Sequence, residues 1–331
     1  MNTEVGANDR KKLVAVVIGL SAVIGLMLLA FALPSVNSGA HELKLGISGP
    51  AAATAQITSS LEANKPGAFV AEEFADADAV RDAIGRRDVV GGIVVDGAGP
   101  HMLIASAGGT PIAQTLTGVA GALSEASGTT VSVEDVVPLT VDDPTGAGLT
   151  ALALPLVFGG MMPAVVLVQL FPRSIVKRVT GAVGVAVLAG FALTAILQFG
   201  THSLSGNYLL TSLALATGIS AISLPLLGLE SLFGIKGFAL GAVTMMFVAN
   251  PLSGMATTAA WLPAGWGALG QLLPPGAAGA SVRSMTFFDG NGAGTPLLVL
   301  LCWIAAGIAL CVAAGRKKSS MPVAEPEAVL V

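Results

Sequence analysis

The sequence has few charged residues and almost no cysteine. Asp, Glu, Lys and Arg make up 11% of its 331 residues, against about 25% in an ordinary soluble domain. Apolar residues make up 53%, and the mean hydropathy is +0.81, so most of the chain must avoid water. The two cysteines, Cys302 and Cys311, lie in one apolar run. A helix would hold them roughly 14 Å apart, too far for a disulfide, and we interpret both as packing residues.

Motifs for several kinds of chemistry are also absent from the sequence. There is no G-x-x-x-x-G-K-[ST] phosphate loop, so the chain is not expected to hydrolyse ATP itself. There is no H-E-x-x-H, C-x-x-C or paired-histidine pattern, and we expect no metal or cofactor. His41, His101 and His202 are scattered and are interpreted as solvated or loop residues. Ser203 follows His202, but without a G-x-S-x-G elbow no catalytic residue is assigned. The sequence therefore predicts a protein that is not an enzyme, and no nucleic-acid partner is expected.

A long apolar run follows the N-terminus. Three basic residues, Arg10 to Lys12, precede an uncharged stretch that continues to Ala40. We predict a cytoplasmic N-terminus at 1–12 and a transmembrane anchor at 13–36, whose core would span about 30 Å as a helix. A cleaved signal peptide is the competing interpretation. Its apolar region would be about 7–15 residues, shorter than this run.

Residues 41–143 differ in composition from the rest of the chain. They hold 14 acidic and five basic residues, and their apolar residues alternate between strand and helix spacing. The patterns predict strands at 41–48, 67–74, 89–95 and 101–106, helices at 51–63, 76–87 and 111–126, and an extended segment at 131–141. Such a segment is typical of a small water-exposed α/β domain.

Apolar segments return in residues 148–315, where we predict a five-span transmembrane domain. The predicted spans are Gly148–Phe171, two within Val179–Leu229 that flank a polar hairpin at 201–207, Gly237–Ala259 and Thr295–Ala314. The Gly- and Pro-rich segment 261–294 is expected to lie in or dip into the outer interface, with an ordinary outer loop as the alternative. A cytoplasmic tail, 316–331, begins with Arg316, Lys317 and Lys318.

The basic residues set the predicted orientation. With both termini in the cytoplasm and six spans, nearly all basic residues near the spans fall on the cytoplasmic side, and the acidic domain falls outside. The sequence therefore predicts an α-helical polytopic membrane protein with six transmembrane helices and an inserted extracytoplasmic α/β domain. The spans hold almost no ionisable residues, which argues against an ion-coupled carrier.

Two segments carry a family resemblance. Residues 79–95, AVRDAIGRRDVVGGIVV, form a short helix, a Gly-containing turn and a buried strand; residues 269–276, LGQLLPPG, precede Arg283 and Phe287-Phe288. With the one-plus-five layout of spans, they resemble permease subunits of the type-2 ABC exporter class and the related phage-infection-protein-like membrane proteins. The N-terminus departs from the exporter pattern, because no long amphipathic helix precedes the first span.

The resemblance implies a permease in the bacterial plasma (inner) membrane. It would be a homodimer or pseudo-symmetric heterodimer and would work with a separate cytoplasmic ABC ATPase. On this interpretation two short cytoplasmic loops contact the ATPase, and polar residues elsewhere line a translocation path or outer gate. The candidate coupling residues are Arg173, Lys177, Arg178, Glu230 and Lys236, and the candidate path or gate residues are Asn250, Gln271 and Arg283.

Two functions remain open from the sequence. The first is export of a lipidic or amphipathic molecule, powered by the separate ATPase. The second is a non-transporting envelope protein whose outer domain binds a partner such as a secretion component or a phage. The positive charges of the first loop could also serve only to set the membrane orientation.

Overall fold

The computed structural model of the protein describes residues 2–97 and 99–319, with side chains described between residues 8 and 316. The described chain is mostly helical and contains one small sheet. The helices are α1 Asn2–Val36, α2 Ala51–Asn64, α3 Ala77–Gly85, α4 Thr110–Ser127, α5 Ala147–Ala151, α6 Ala153–Leu170, α7 Ile175–Ala195, α8 Tyr208–Phe233, α9 Ile235–Val243, α10 Trp266–Gln271, α11 Pro274–Phe287 and α12 Gly294–Ser319. The strands are β1 Leu43–Ser48, β2 Phe69–Glu73, β3 Gly91–Asp96, β4 Gly99–Ile104 and β5 Ser132–Asp135.

The sheet belongs to an α/β domain that begins at β1 and ends after β5. Its strand order is β2-β1-β3-β4-β5. Strand β1 is parallel to both β2 and β3, β3 is antiparallel to β4, and β4 is parallel to β5. All the strands and helices predicted within residues 41–143 are present, although the last extended segment forms a strand only at 132–135.

Helices cover both faces of this sheet. One face packs against α2 and α4, through buried residues such as Leu45, Met102 and Leu116. The other face packs against α3, where Val80 and Ile84 are fully buried. The same layer includes Phe287 and Phe288 from the end of α11. The core of the α/β domain is therefore continuous with a segment of the helical part of the chain.

Five helices are long and apolar enough to cross a membrane, so the chain has the character of a helical membrane protein. They cover Asn8–Val36, Ala147–Leu170, Ile175–Gly200, Tyr208–Phe233 and Gly294–Arg316. Helix α8 lies at the centre and is buried over most of its length by α6, α7, α11 and α12. Helix α1 is different, because its side chains from residue 8 to residue 29 are all exposed.

The fifth predicted span does not form one continuous helix. Helix α9 continues as a π-helix over Thr244–Ala249 and ends there, about ten residues before the predicted end at Ala259. The reason is local: Asn250 is followed by Pro251, which cannot donate to the helical ladder, and Gly254 then adopts a φ of +66°. The continuous helical stretch of 9 and 6 residues is shorter than the roughly 20 needed to cross a bilayer. Six crossings therefore stay a prediction.

Residues 261–294 are not an exposed loop. They contain α10 and α11, and nearly every residue of the 14-residue α11 from Pro274 to Ser284 is buried. Helix α11 packs against α8 and α12 and, at fewer positions, against α6 and the π-helix after α9. Two short helices, the α9 stretch and α11, thus lie beside each other near the α/β domain.

The junction between the α/β domain and α5 depends on Asp143. Its buried carboxylate accepts hydrogen bonds from the backbone N–H groups of Ala147 (2.8 Å) and Gly148 (2.7 Å). Burial alone would raise the pKa of this carboxyl, but these bonds, with Ser203 and Thr145, outweigh it and hold the pKa below its usual value. Asp143 therefore stabilises the start of the first helix after the domain.

We expect Asp143→Ala to lower the free energy of unfolding by about 1–3 kcal/mol at pH 7, because the buried N–H group of Gly148 and the partly buried one of Ala147 lose their acceptor. The folded-state pKa is depressed, so the stabilisation is present above the unfolded value of about 3.9 and is lost as the pH falls through the folded value. The difference between variant and wild type should therefore shrink below about pH 4. Thermal unfolding across pH measures this. Asp142→Ala, at an exposed neighbour, is the control and should change stability by less than about 0.5 kcal/mol.

Candidate binding cavities between the α/β domain and the helices

Between the α9 stretch and α10, the chain forms a largely irregular loop, residues 250–262, with a 3-10 turn at Ala259–Trp261. It begins with a turn in which the N–H of Ser253 donates to the carbonyl of Asn250 at 3.1 Å. Two side chains then hold it by its backbone carbonyls: Gln271 Nε2 donates to Ser253 at 3.3 Å, and Arg283 Nη2 donates to Met255 at 3.1 Å. The structure thus brings the three predicted path or gate residues, Asn250, Gln271 and Arg283, to one loop.

Arg283 joins this loop to the α/β domain. Its side chain projects from α11, is buried, and donates from Nη1 to the carbonyl of Ala107 at 2.7 Å. Ala107 lies in a 3-10 turn, Ser106–Gly108, that follows β4. Arg283 therefore connects three elements through neutral carbonyl groups.

A second arginine, Arg87, approaches the same place from the domain side. It follows α3 in a left-handed conformation, with a φ of +66°. Its Nη1 donates to Ser284 Oγ at 2.6 Å, and its guanidinium carbon lies 5.0 Å from the centre of the Phe288 ring. Arg87 thus contacts the residue after Arg283, and two guanidinium groups lie on the wall of one cavity.

This cavity, which we call the arginine cavity, has a volume of about 300 Å³. Apart from the two arginines, its walls are neutral and come from the 250–262 loop, α10, α11 and the start of α12. The lining residues are Arg87, Ser253, Gly254, Thr258, Ala259, Ala260, Gln271, Gly279, Ala280, Arg283, Gly292 and Pro296.

The charges of the arginine cavity are not balanced within residues 2–97 and 99–319. None of the ion pairs in these residues involves Arg87 or Arg283. Burial lowers the pKa of Arg87. Burial, with repulsion from Arg87, lowers the pKa of Arg283 to about 10. Both directions indicate that the cationic forms are disfavoured where they lie, as expected for charges moved from water without a counter-charge.

A second cavity, about 270 Å³, shares Ser253 and Gly254 of the 250–262 loop with the arginine cavity. It is lined by Asn250, by the C-terminal part of α1 at Phe31 and Ser35, and by hydroxyl groups of the loop such as Thr257. The side-chain oxygen of Asn250 is buried and accepts no hydrogen bond from the described residues. The loop therefore lines both a cationic cavity and one that holds an unpaired acceptor.

The predicted coupling residues lie at the ends of α6, α7 and α8 that point away from the α/β domain. Arg178 is buried there, and it donates to the carbonyls of Phe171 (2.8 Å) and Pro172 (2.9 Å). Its Nη1 also bonds Glu230 at 2.9 Å and Ser231 at 3.1 Å. These contacts connect the two loops that were predicted to face the ATPase. They also hold the Arg178 side chain inside the protein.

The other basic residues of these two loops are accessible. Arg173, Lys177 and Lys236 are all exposed, and Lys177 Nζ lies 5.7 Å from the centre of the Phe171 ring. Of the predicted coupling residues, these three rather than Arg178 or Glu230 would therefore be available to a partner at this end. Their role in coupling stays a prediction.

Sequence reasoning missed Arg87. In the sequence it follows Arg86 and precedes Asp88, a pattern typical of a solvated turn, and Arg86 does pair with Asp88 at the surface at 3.0 Å. The partner of Arg87 is Ser284, 197 positions away. No local signal could have separated the two arginines.

The α/β domain also carries a contact that resembles a catalytic triad. His101 lies 2.6 Å from Ser132 Oγ through Nδ1 and 3.2 Å from Asp96 through Nε2. His101 and Ser132 are direct partners in the register of β4 and β5, so the contact follows from strand pairing. The ring nitrogens are used in the opposite sense to the Ser-His-Asp arrangement of hydrolases, and we assign it no chemistry.

Comparisons with models of known protein families, with curated proteins and with solved structures found no match to this chain. The candidate site is therefore argued from its geometry alone: two cavities, one cationic and one polar, that share an irregular loop between two short helices.

Proposed function

We propose that the chain is the membrane permease subunit of an ABC-type exporter in the bacterial plasma membrane. It would move a lipidic or amphipathic substrate outward, powered by a separate cytoplasmic ATPase. In this proposal the α/β domain lies outside the cytoplasm, and both termini lie inside. The exposed apolar length of α1 is available to pack against lipid or a second permease subunit.

The observation that carries the proposal is the irregular 250–262 loop between two helices too short to cross a bilayer. Irregular backbone at membrane depth is tolerated where it is buried in protein or lines a water-filled cavity. Broken helices whose ends meet at such a cavity are typical of transport sites. Here the loop lines both the arginine cavity and the Asn250 cavity, and two of the long apolar helices, α1 at Phe31 and α6 at Ala153, also line the Asn250 cavity.

One feature favours the second candidate function, a non-transporting envelope protein. A groove of about 560 Å³ lies on the α/β domain between α2 and α4, with a largely apolar lining that includes Leu61, Phe69 and Leu123. Such a groove could receive a segment of another protein. This function would need neither an ATPase nor the cavities beside the 250–262 loop.

Recovery of an ATPase with the purified full-length chain separates the two functions. We expect a protein with a phosphate-loop motif and ATP hydrolysis activity to co-purify from the native membrane. The variant Arg173→Glu with Lys177→Glu should reduce its recovery by about tenfold or more, because it reverses two of the three exposed charges among the predicted coupling residues.

The matched control reverses two exposed charges of the α/β domain, Lys65→Glu with Arg86→Glu, and should leave recovery unchanged. Reporters fused after Asp96 and Gly206 should lie outside, and one fused after Lys318 should lie inside, in every variant. Full recovery of the ATPase with the Arg173 and Lys177 variant would refute the docking assignment. If the wild-type chain recovers no ATPase, the exporter proposal fails.

A further inference from the structure

We propose that the arginine cavity binds a phosphate group, with Arg87 and Arg283 as its two cationic ligands. Phosphate binding would be a property of the purified chain itself, so it does not depend on the proposed transport function. The phosphate could be free in solution or could be the headgroup of an amphiphile, and these two sources are distinguished below.

The charge of this cavity favours an anion. Burial of the Arg283 guanidinium without a counter-charge is unfavourable, and repulsion from the half-buried Arg87 adds to the cost. The other buried arginine, Arg178, does have a counter-charge. It is 4% exposed and pairs with Glu230 at 2.9 Å. Arg283 is 7% exposed, yet it meets only carbonyl groups within the described residues. A bound anion would supply the missing counter-charge.

Both arginines also keep unused hydrogen-bond donors. A guanidinium group carries five N–H donors in a planar fork. Within the described residues, Arg283 makes two hydrogen bonds and Arg87 makes one. Donors therefore remain on both groups, and arginine forks match the oxygen geometry of phosphate.

The size and lining of the cavity also suit a phosphate group. Its volume of about 300 Å³ is several times what a water molecule needs, so a phosphate group with part of its attached moiety would fit. No carboxylate lines it, so nothing on its walls would repel an anion. Gln271 and the 250–262 loop complete the wall, which would couple occupancy to the position of the loop.

A purely structural role is the competing explanation for the two arginines. Arg283 does join the α/β domain to the loop, and this role would persist without any ligand. If the role of Arg87 is purely structural, loss of its single hydrogen bond to Ser284 would change the stability of the protein. It would not change any property that depends on phosphate.

The test uses the full-length chain, purified in an uncharged detergent, with two probes. Inorganic phosphate tests a free anion, and dioctanoyl phosphatidic acid tests a lipid headgroup, with dioctanoylglycerol as its phosphate-free counterpart. Binding is followed by isothermal titration and by the shift of thermal unfolding, since a ligand that binds the native state alone raises stability with concentration. Chloride at matched ionic strength corrects for screening.

We expect at least one phosphate probe to bind the wild type. Arg87→Gln should weaken that binding about tenfold or more, because one charge-assisted contact to the phosphate is lost. Arg283→Gln should weaken it similarly, and Arg283→Lys by less. Arg86→Gln removes the same charge one residue away, at an exposed position that pairs with Asp88, and should bind like the wild type. Should Arg283→Gln fail to fold, Arg87→Gln alone decides.

Binding of inorganic phosphate supports a free anion as the ligand, whereas binding of phosphatidic acid alone, without dioctanoylglycerol, supports a headgroup. Absence of binding by both phosphate probes overturns the proposal. Equal losses in Arg86→Gln and Arg87→Gln also overturn it, because the effect would then be general electrostatics. These outcomes are independent of ATPase recovery, so failure of phosphate binding and failure of the exporter proposal can be told apart.

Discussion

Arg178→Met is expected to destabilise the protein by about 3–5 kcal/mol, the usual cost of breaking a buried ion pair from one side. The variant leaves Glu230 without its cation. It also removes the N–H groups that donate to the carbonyls of Phe171 and Pro172. The loop between α6 and α7 would lose its attachment to the end of α8. Unfolding of the purified chain in detergent, followed by heat or denaturant, measures the loss.

Two further variants show whether this cost belongs to the ion pair. Arg178→Met with Glu230→Leu replaces both charges by apolar groups of similar volume and should recover most of the stability. Arg173→Met removes an exposed charge five residues earlier and should change stability by less than about 0.5 kcal/mol. If Arg178→Met were as stable as Arg173→Met and lost only ATPase recovery, Arg178 would be a docking residue and its internal contacts would matter little.

The elements of the α/β domain could be predicted because their signals are local. The alternation in 41–48 and the helical spacing of Val80, Ala83 and Ile84 depend on near neighbours, and the structure has β1 and α3 at these places. The apolar runs behind five of the six predicted spans are local in the same sense. The predicted span to Ala259 gave too little weight to Pro251, because the helix ends at Ala249.

The candidate site could be predicted only in part. Asn250, Gln271 and Arg283 were predicted together as path or gate residues, and all three lie at the 250–262 loop, although their role in transport stays a prediction. Their arrangement depends on contacts between distant parts of the chain, such as Arg283 with Ala107, 176 positions away. The same limit explains Arg178, whose partner Glu230 is 52 positions away. From the sequence alone, a buried ion pair and an exposed docking arginine are indistinguishable.

Small residues also fix the 250–262 loop, and this could not be predicted from the sequence, where glycine is abundant throughout. Gly270 in α10 lies directly against the backbone carbonyl of Leu252, and Gly267 lies against that of Ala259. A Cβ atom at either position would overlap a carbonyl group. Backbone cannot rotate away as a flexible side chain can, so the loop itself would have to move.

Gly270→Ala is therefore expected to destabilise the protein by about 3 kcal/mol, at the upper end of the usual cost of overpacking. Its sign is opposite to the ordinary effect in a helix, where alanine is favoured over glycine by about 1 kcal/mol. Gly121→Ala in α4 is the control, because its Cβ would meet nothing within 4 Å. That variant should be unchanged or more stable by about 0.5–1 kcal/mol.

Thermal unfolding of the two variants, with phosphate binding measured on the folded fraction, tests the role of this contact. Displacement of the loop would move Ser253, whose carbonyl accepts from Gln271, and would change the walls of both cavities. We therefore expect Gly270→Ala to weaken phosphate binding while Gly121→Ala retains it. A Gly270→Ala protein with wild-type stability and binding would show that the loop adapts freely. The close approach of Leu252 would then not be what holds the two cavities in place.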